Sequence, residues 1–187
     1  MRRDPIVIRE WDEAWPARFD NERRRLTPLL GDRLTRPIEH IGSTAVPGLP
    51  AKPIIDMVAV VDDVAATRAL LPRLDALDWR HAPEPGDAAG RRLSLCAPSV
   101  ERRTHHLHVV EHDSPGWRDW LAFRDHLRRD PGAASSYAAL KRRLAAAHGQ
   151  DPNERAAYRH GKSAFVADVL ARTTPPTERP PPGAPGP

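Results

Sequence analysis

The sequence predicts an α+β (α/β) fold, a small mixed β-sheet backed by helices, with a helical C-terminal half. Three observations predict it. Up to residue 111, short apolar runs alternate with stretches of helical periodicity; from 117 to 171 the periodicity is helical; and no internal repeat interrupts the scheme. Elements with one apolar face each bury those faces most simply as helices layered on a sheet.

Taken in order, residues 6–8 read as a short strand. In 13–30, Trp15, Phe19, Arg23 and Leu26 recur at helical spacing, with Asp12 placed to cap the first turn. Strands are predicted over 36–41 and 54–61. Residues 65–77 form the next helix, with Leu70, Leu71, Leu74 and Leu77 on or near one face. The Pro-, Gly- and Asp-rich segment 82–90 reads as a mobile loop. Strands over 92–97 and 105–111 follow, with 98–103 as the turn between them. Helices are predicted over 117–129, 134–147 and 153–171, the last two separated by Gly149 and Pro152. Residues 1–172 thus make one domain. The tail 173–187, TTPPTERPPPGAPGP, cannot bury a core and is predicted to be disordered or polyproline-like.

Composition narrows the class. A chain of 187 residues supports one hydrophobic core. Its single cysteine, Cys96, excludes a disulfide framework and fits a reducing cytoplasm, where it reads as a small core residue. No apolar run approaches membrane-spanning length, so a soluble, cytoplasmic protein without a membrane partner is expected. The net charge of +4 hints at acidic partners. The arginines, however, alternate with acids along the helices, as in 21–25 and 124–129, so solvated helix faces explain them better than a nucleic-acid groove. Trp11, Trp15 and Trp117 read as packing residues.

The chemistry concentrates between 37 and 61. Gly42 and Ser43 follow the apolar Ile38 and Ile41, where a turn can bring backbone N–H groups and a hydroxyl to an anion. Ser43 and the adjacent Thr44 are therefore phosphate-binding candidates, and the plainer alternative is a chain reversal that caps a helix. In the apolar run 54–61 only Asp56 is charged, and an acid inside such a strand is costly unless paired, protonated or bound to a cation. Alternation puts Ile54, Asp56, Val58 and Val60 on one face. The same rule puts His106, His108 and Val110 on one face of their strand, opposite Leu107 and Val109. Two histidines at alternate positions can hold one transition metal or donate to phosphate oxygens. Glu39 and His40 flank the turn and could complete the site.

Lysine usage adds a clue. Positive charge is written almost wholly as arginine, and lysine stands only at Lys52, Lys141 and Lys162. A compact ammonium at these places suits a phosphate contact. Lys141 lies four residues after Tyr137 and Lys162 four after Tyr158, so each pair shares a helix face.

The stretch IGSTAVPGLPAKPIIDM, with IREWDEAW, HHLHVVE, WLAFRDHLRRDP, YAALKRRL and YRHGKSAFVADVL, resembles the GrpB-like family, a branch of the nucleotidyltransferase superfamily. The resemblance spans 6–171. It implies a nucleotidyltransferase-like fold and transfer of a nucleotidyl group from an NTP to a small-molecule or protein acceptor. The superfamily pattern of a hydrophobic residue, Gly and Ser, then Asp-hydrophobic-acid on a strand, fits Ile41-Gly42-Ser43 and Asp56-Met57. The resemblance implies a metal at Asp56 and a phosphate at the Gly-Ser turn; joined to the reading of the histidines and lysines, the candidates are a divalent metal, Mg, Mn or Zn, at Asp56, His106 and His108 as catalytic residues, and phosphates at Gly42, Ser43, Thr44, Lys52, Lys141 and Lys162. Val58 stands where a second carboxylate is expected. The alternative is therefore a catalytically degenerate nucleotide- or protein-binding module. Some members are fused to dephospho-CoA kinase, which points that module toward CoA metabolism; no GxxxxGK[ST] loop occurs in this sequence. Arg124 also matches the family and is expected to pair with an acid on a neighbouring helix, holding the helices against the sheet.

Overall fold

The computed structural model describes residues 5–88, 91–114 and 116–173. Its strands are β1 (Glu39–Ile41), β2 (Ile55–Val61), β3 (Arg80–His81), β4 (Arg92–Pro98) and β5 (Arg103–Glu111). Its helices are α1 (Ala14–Leu30), α2 (Val64–Arg68), α3 (Leu71–Asp75), α4 (Trp117–Arg129), α5 (Pro131–His148), α6 (Arg155–His160) and α7 (Ser163–Thr173). The strands form one mixed sheet in the order β1-β2-β5-β4-β3. Only β2 and β5 run parallel; the other neighbours are antiparallel.

Alternation along the strands divides the buried residues between two faces. On one, Ile55, Met57, Ala59, Leu107, Val109, Leu93 and Leu95 pack against Trp15, Leu26 and Leu30 of α1, with Leu74 and Trp79 completing the core. On the other, Ile41, Val58, Val60 and Val110 meet Trp117, Trp120 and Leu121 of α4. A third cluster ties the loop after the Gly-Ser turn, through Val46 and Leu49, to Leu127, Tyr137 and Phe165 of the C-terminal helices. Sheet and helices are therefore clamped together at that loop. Among the described residues, no helix is long and apolar enough to cross a membrane.

Several predicted elements change, and proline explains most of the changes. Residues 6–8 form no strand: Ile6 donates to the Gly149 carbonyl at 2.8 Å, and a single bridge joins Arg9 to Ala51. Pro50 and Pro53 deprive the facing segment of N–H groups, so a ladder cannot extend. The strand predicted over 36–41 begins only at Glu39, beyond Pro37. The helix predicted over 65–77 is two short helices, because Pro72 has no N–H to carry the ladder across residues 69–70. The last predicted helix breaks at Gly161, where a Cβ would collide with Leu144 of α5. By contrast α4 has the predicted bounds, and α5 begins three residues early because the Asp130 carboxylate accepts from Ala133 N. The Asp12 carboxylate accepts from Ala14 N, the first N–H of α1, at 2.8 Å, although the residue at the N-cap is Glu13, which makes no side-chain cap. The two-residue β3 was not predicted; it is too short for periodicity to register.

Two expectations fall partly outside the described residues. The predicted tail lies there except for Thr173, which ends α7. In the 82–90 loop, residues 89 and 90 lie there too, whereas Asp87 is buried: its carboxylate accepts from Arg92 Nε at 2.6 Å, Ser94 Oγ at 3.0 Å and Glu84 N at 3.0 Å. This ties the loop to β4.

Candidate functional site

Asp56 is the second residue of β2, and β5 runs beside it in parallel, matching Asp56 with His106 and Val58 with His108. Residues matched across neighbouring strands share a face, so all three polar side chains lie on the α4 side of the sheet. Asp56 Oδ1 is 2.9 Å from His106 Nδ1. One ligand atom from each of Asp56, His106 and His108 lies within 4.8 Å of the others. The Asp56 side chain keeps 32% of its surface exposed and His106 17%, so the group is sheltered but reachable. The His108 ring packs at 5.2 Å from that of Trp120 on α4.

The protonation pattern follows from these contacts. Burial pushes the Asp56 carboxyl up, but the hydrogen bond from His106 and the charges of His106, His108 and Lys52 outweigh it and hold the group below its ordinary range. A carboxylate only accepts, so His106 donates to it through Nδ1. Burial lowers the His108 pKa, against the pull of Asp56. His106 Nε2 and His108 Nδ1 are both buried without a hydrogen-bond partner among the described residues. Orphaned buried nitrogens are costly, and a bound cation would satisfy them.

Gly42 makes room for this arrangement. Ile41 pairs with Asp56, so the turn after β1 passes directly over the carboxylate. A Cβ at Gly42 would stand 2.6 Å from Asp56 Oδ2. The Gly42 backbone, at φ +70° and ψ −173°, also occupies a region that is essentially glycine's alone.

The remaining candidates separate into two groups. Thr44 is buried, and its hydroxyl donates to the Ile54 carbonyl at 3.2 Å. The same oxygen therefore accepts from His40 Nε2, 3.0 Å away. His40 stacks on Phe19 at 4.8 Å, and burial lowers its pKa to about 4. Neither is brought to the Asp56 cluster; together they brace the turn against the start of β2. Glu39 is also turned away: Arg124 binds it at 2.8 Å, donates to the His40 carbonyl at 2.8 Å, and pairs with Asp125 of its own helix. Arg124 thus joins helix to sheet as expected, but its distant acid sits on β1 and not on a neighbouring helix.

The lysines converge. Lys52 Nζ lies 5.4 Å from the Tyr158 ring centroid and Lys162 Nζ 4.8 Å from the same ring. Burial, with repulsion from Lys52, lowers the Lys162 pKa to about 8 against the attraction of Asp56. Lys141 is more deeply set, over the Tyr137 ring at 4.8 Å, with Nζ donating to the Pro50 carbonyl. Burial, then the charges of Lys162, Arg142 and Lys52, brings it down to about 7. Ser43 interacts with the Tyr137 phenol, whose pKa burial raises above its usual range. Sequence reading paired each tyrosine with its lysine but missed that the two rings are the platforms that gather Lys52, Lys141, Lys162 and Ser43. It also missed Arg128, which donates twice to the Ala45 carbonyl, at 2.9 and 2.7 Å, and holds the turn from behind. Nothing in the helical charge pattern distinguishes Arg128 from its solvated neighbours.

Comparison with known proteins bears on the family and the overall fold. A family profile described as GrpB protein matches residues 5–172. YqkA of Bacillus subtilis is 37% identical over 165 residues, covering 88% of this chain and 46% of its own length. A dephospho-CoA kinase of Mycolicibacterium paratuberculosis is 32% identical over 164 residues, covering 76% of this chain and 40% of its own. The chain thus spans about half the length of YqkA, or less in the case of the kinase. The crystal structure of the conserved protein GrpB from Enterococcus faecalis superimposes with a TM-score of 0.77 at 31% identity, over 89% of this chain and 96% of that one. The match along nearly the whole domain, in sequence and in fold, shows that the chain belongs to the GrpB family.

Proposed function

We infer that the chain is a metal-dependent nucleotidyltransferase, moving a nucleotidyl group from an NTP to a small-molecule or protein acceptor. The observation that carries this reading is the gathering of Asp56, His106 and His108 on one sheet face under the Gly42-Ser43 turn, with two buried imidazole nitrogens lacking partners among the described residues. Asp56 and the two imidazoles would hold the metal, and one carboxylate with two nitrogens suits Mn²⁺ or Zn²⁺ better than Mg²⁺. Such an ion would neutralise charge developing on the phosphates. The protein's own part is positional. Glycine at position 42 lets backbone approach, the Ser43 hydroxyl can donate to a phosphate oxygen, and Lys52 and Lys162 over Tyr158 place two ammonium groups beside the cluster.

Val58 favours a second reading. It is fully buried opposite His108, at the strand position where a second carboxylate would stand. One carboxylate is poor equipment for two ions, which supports a nucleotide- or protein-binding module that has lost catalysis. The similarity to a dephospho-CoA kinase would then point to a supporting role in CoA metabolism.

Thermal unfolding with ATP, GTP, CTP and UTP, each with Mg²⁺, Mn²⁺ or Zn²⁺ and with metal alone, tests both. A ligand at about a hundred times its dissociation constant adds about 2.7 kcal/mol to the folded state. Metal-dependent stabilisation by a nucleotide, lost in Asp56→Asn, is the result expected of the transferase. Stabilisation indifferent to metal and to Asp56 would favour the binding module. No shift with any nucleotide would sink both nucleotide readings.

A further inference from the structure

The carboxylate that Val58 does not provide has a candidate outside β2. The loop after β3 carries Glu84, and hydrogen bonds fix its path. Ala82 N donates to the Ser94 carbonyl at 3.0 Å, so the chain leaves the sheet beside Ser94. Ser94 is matched with His108 of β5 and Arg92 with Val110, which puts both on the α4 side of the sheet, where His106 and His108 stand. The loop then turns back over that side. One Asp87 oxygen accepts from Arg92 Nε at 2.6 Å and Ser94 Oγ at 3.0 Å, and the other accepts from Glu84 N at 3.0 Å. The Glu84 backbone is thereby tied, through Asp87, to the row that carries His108.

The other end of Glu84 reaches the start of β5. Its carboxylate lies 3.8 Å from Nη1 of Arg103, the first residue of that strand and three before His106. Held near the His108 row by its backbone and near Arg103 by its charge, Glu84 follows the strand that carries both histidines. Its charge accordingly pulls on the His108 ring next after that of Asp56. The contact with Arg103 is an ion pair too long for a hydrogen bond, and 33% of the Glu84 side chain is exposed. Arg103 also donates from Nε to the Val100 carbonyl at 3.1 Å, so it keeps a partner when Glu84 turns away.

We propose that Glu84 is the second carboxylate of the metal centre, leaving Arg103 to bind a divalent cation together with Asp56, His106 and His108. The proposal rests on the metal-binding part of the preceding reading. Glu84 stands outside the group whose ligand atoms lie within 4.8 Å of one another, so it joins by rotation of its own side chain while its backbone stays on Asp87. Charge favours the move. Imidazole binds a metal as the neutral ring, so Asp56 alone leaves one positive charge on a divalent ion. In a sheltered site an uncompensated charge is costly, and a second carboxylate cancels it. Little opposes the exchange, because a long and partly exposed ion pair holds its partners weakly. Two carboxylates with two imidazoles suit Mn²⁺ or Zn²⁺. The apolar Val58 then marks no lost ligand, since the loop between β3 and β4 supplies the acid that β2 does not.

The test is calorimetric titration of the full chain with Mn²⁺ and with Zn²⁺, in the wild type, Glu84→Gln, Arg103→Gln and Asp56→Asn. Urea unfolding of each metal-free protein is measured alongside. The expected result is that Glu84→Gln weakens metal binding about tenfold or more. Arg103→Gln, which frees the carboxylate, should not weaken it. A Glu84 that only pins the loop through Arg103 predicts otherwise, with both variants weakening metal binding alike and losing metal-free stability alike. That outcome, or unchanged metal affinity in Glu84→Gln, overturns the proposal. Metal binding lost in Asp56→Asn but kept in Glu84→Gln would uphold the metal site and overturn the role of Glu84. No binding by the wild type up to about 1 mM of either metal overturns both.

Discussion

Asp56 and His106 stand opposite each other across the parallel strands β2 and β5, Oδ1 to Nδ1 at 2.9 Å, with Gly42 so near the other carboxylate oxygen that a Cβ there would stand 2.6 Å from it. The pair orients one imidazole and leaves its second nitrogen without a hydrogen-bond partner among the described residues. The aspartate thereby has two roles open to it, as a ligand and as the group that sets the tautomer of a neighbouring ligand.

Replacing Asp56 by Asn keeps an acceptor for His106 but removes the charge. Zn²⁺ or Mn²⁺ affinity, measured by calorimetry, should fall about 10–100-fold while the unfolding midpoint in urea changes little. Unchanged metal affinity would remove Asp56 from the metal site.

Gly42→Ala meets both a steric and a conformational obstacle. The added methyl lies 2.6 Å from Asp56 Oδ2, and the backbone conformation disfavours any side chain. A loss of about 1–3 kcal/mol is expected in urea unfolding. Metal affinity should drop with it, because relief of the clash requires the carboxylate to move.

Lys141 makes stability depend on alkaline pH. Its folded pKa of about 7 lies below the ordinary 10.5, so between these values the unfolded chain binds the extra proton. The stability of wild type relative to Lys141→Met should therefore rise with pH from 7 toward 10.5, by at most about 1.4 kcal/mol per unit. Denaturant unfolding of both proteins across that range measures it, and a flat difference would refute a buried, depressed lysine.

His40 acts on the acid side with the same sign. Its pKa falls from 6.5 to about 4 on burial, so its contribution is fully present above 6.5 and is lost as pH falls toward 4. His40→Gln should be less sensitive than wild type to acid over that window, as followed by thermal unfolding at stepped pH.

Arg124→Ala leaves the Glu39 carboxylate and the His40 carbonyl without their shared donor. A cost of about 2–3 kcal/mol is expected in chemical denaturation. Because those acceptors are on β1, α4 should also exchange its amide hydrogens faster, a readout that a purely local defect would not give.

Much of this was legible in the chain. The bounds of α4, the strand around Asp56 and the strand of histidines follow from periodicity, because one apolar face must be buried whatever the partner is. Most of the misread elements are those where a proline silently removes a backbone donor, at Pro37, Pro50, Pro53 and Pro72, a loss that apolar spacing does not register. At the site, the histidines could be assigned to a shared face. The inward turn of Thr44 and His40 could not, since a threonine and a histidine beside a glycine turn serve as readily for ligand as for bracing.

The sequence by itself determined which residues could share a face, Asp56 with Val58 and His106 with His108, and that a Gly-Ser turn precedes the strand of Asp56. Only the tertiary structure decided that these two faces are the same face. That depends on the parallel register of β2 and β5, where a slip of one residue would turn the histidines to the opposite side. It likewise decided that Lys52, Lys141 and Lys162 meet around two tyrosines. The loop and helices that carry them are distant in sequence and are brought together by burial of apolar surface that has no part in the chemistry.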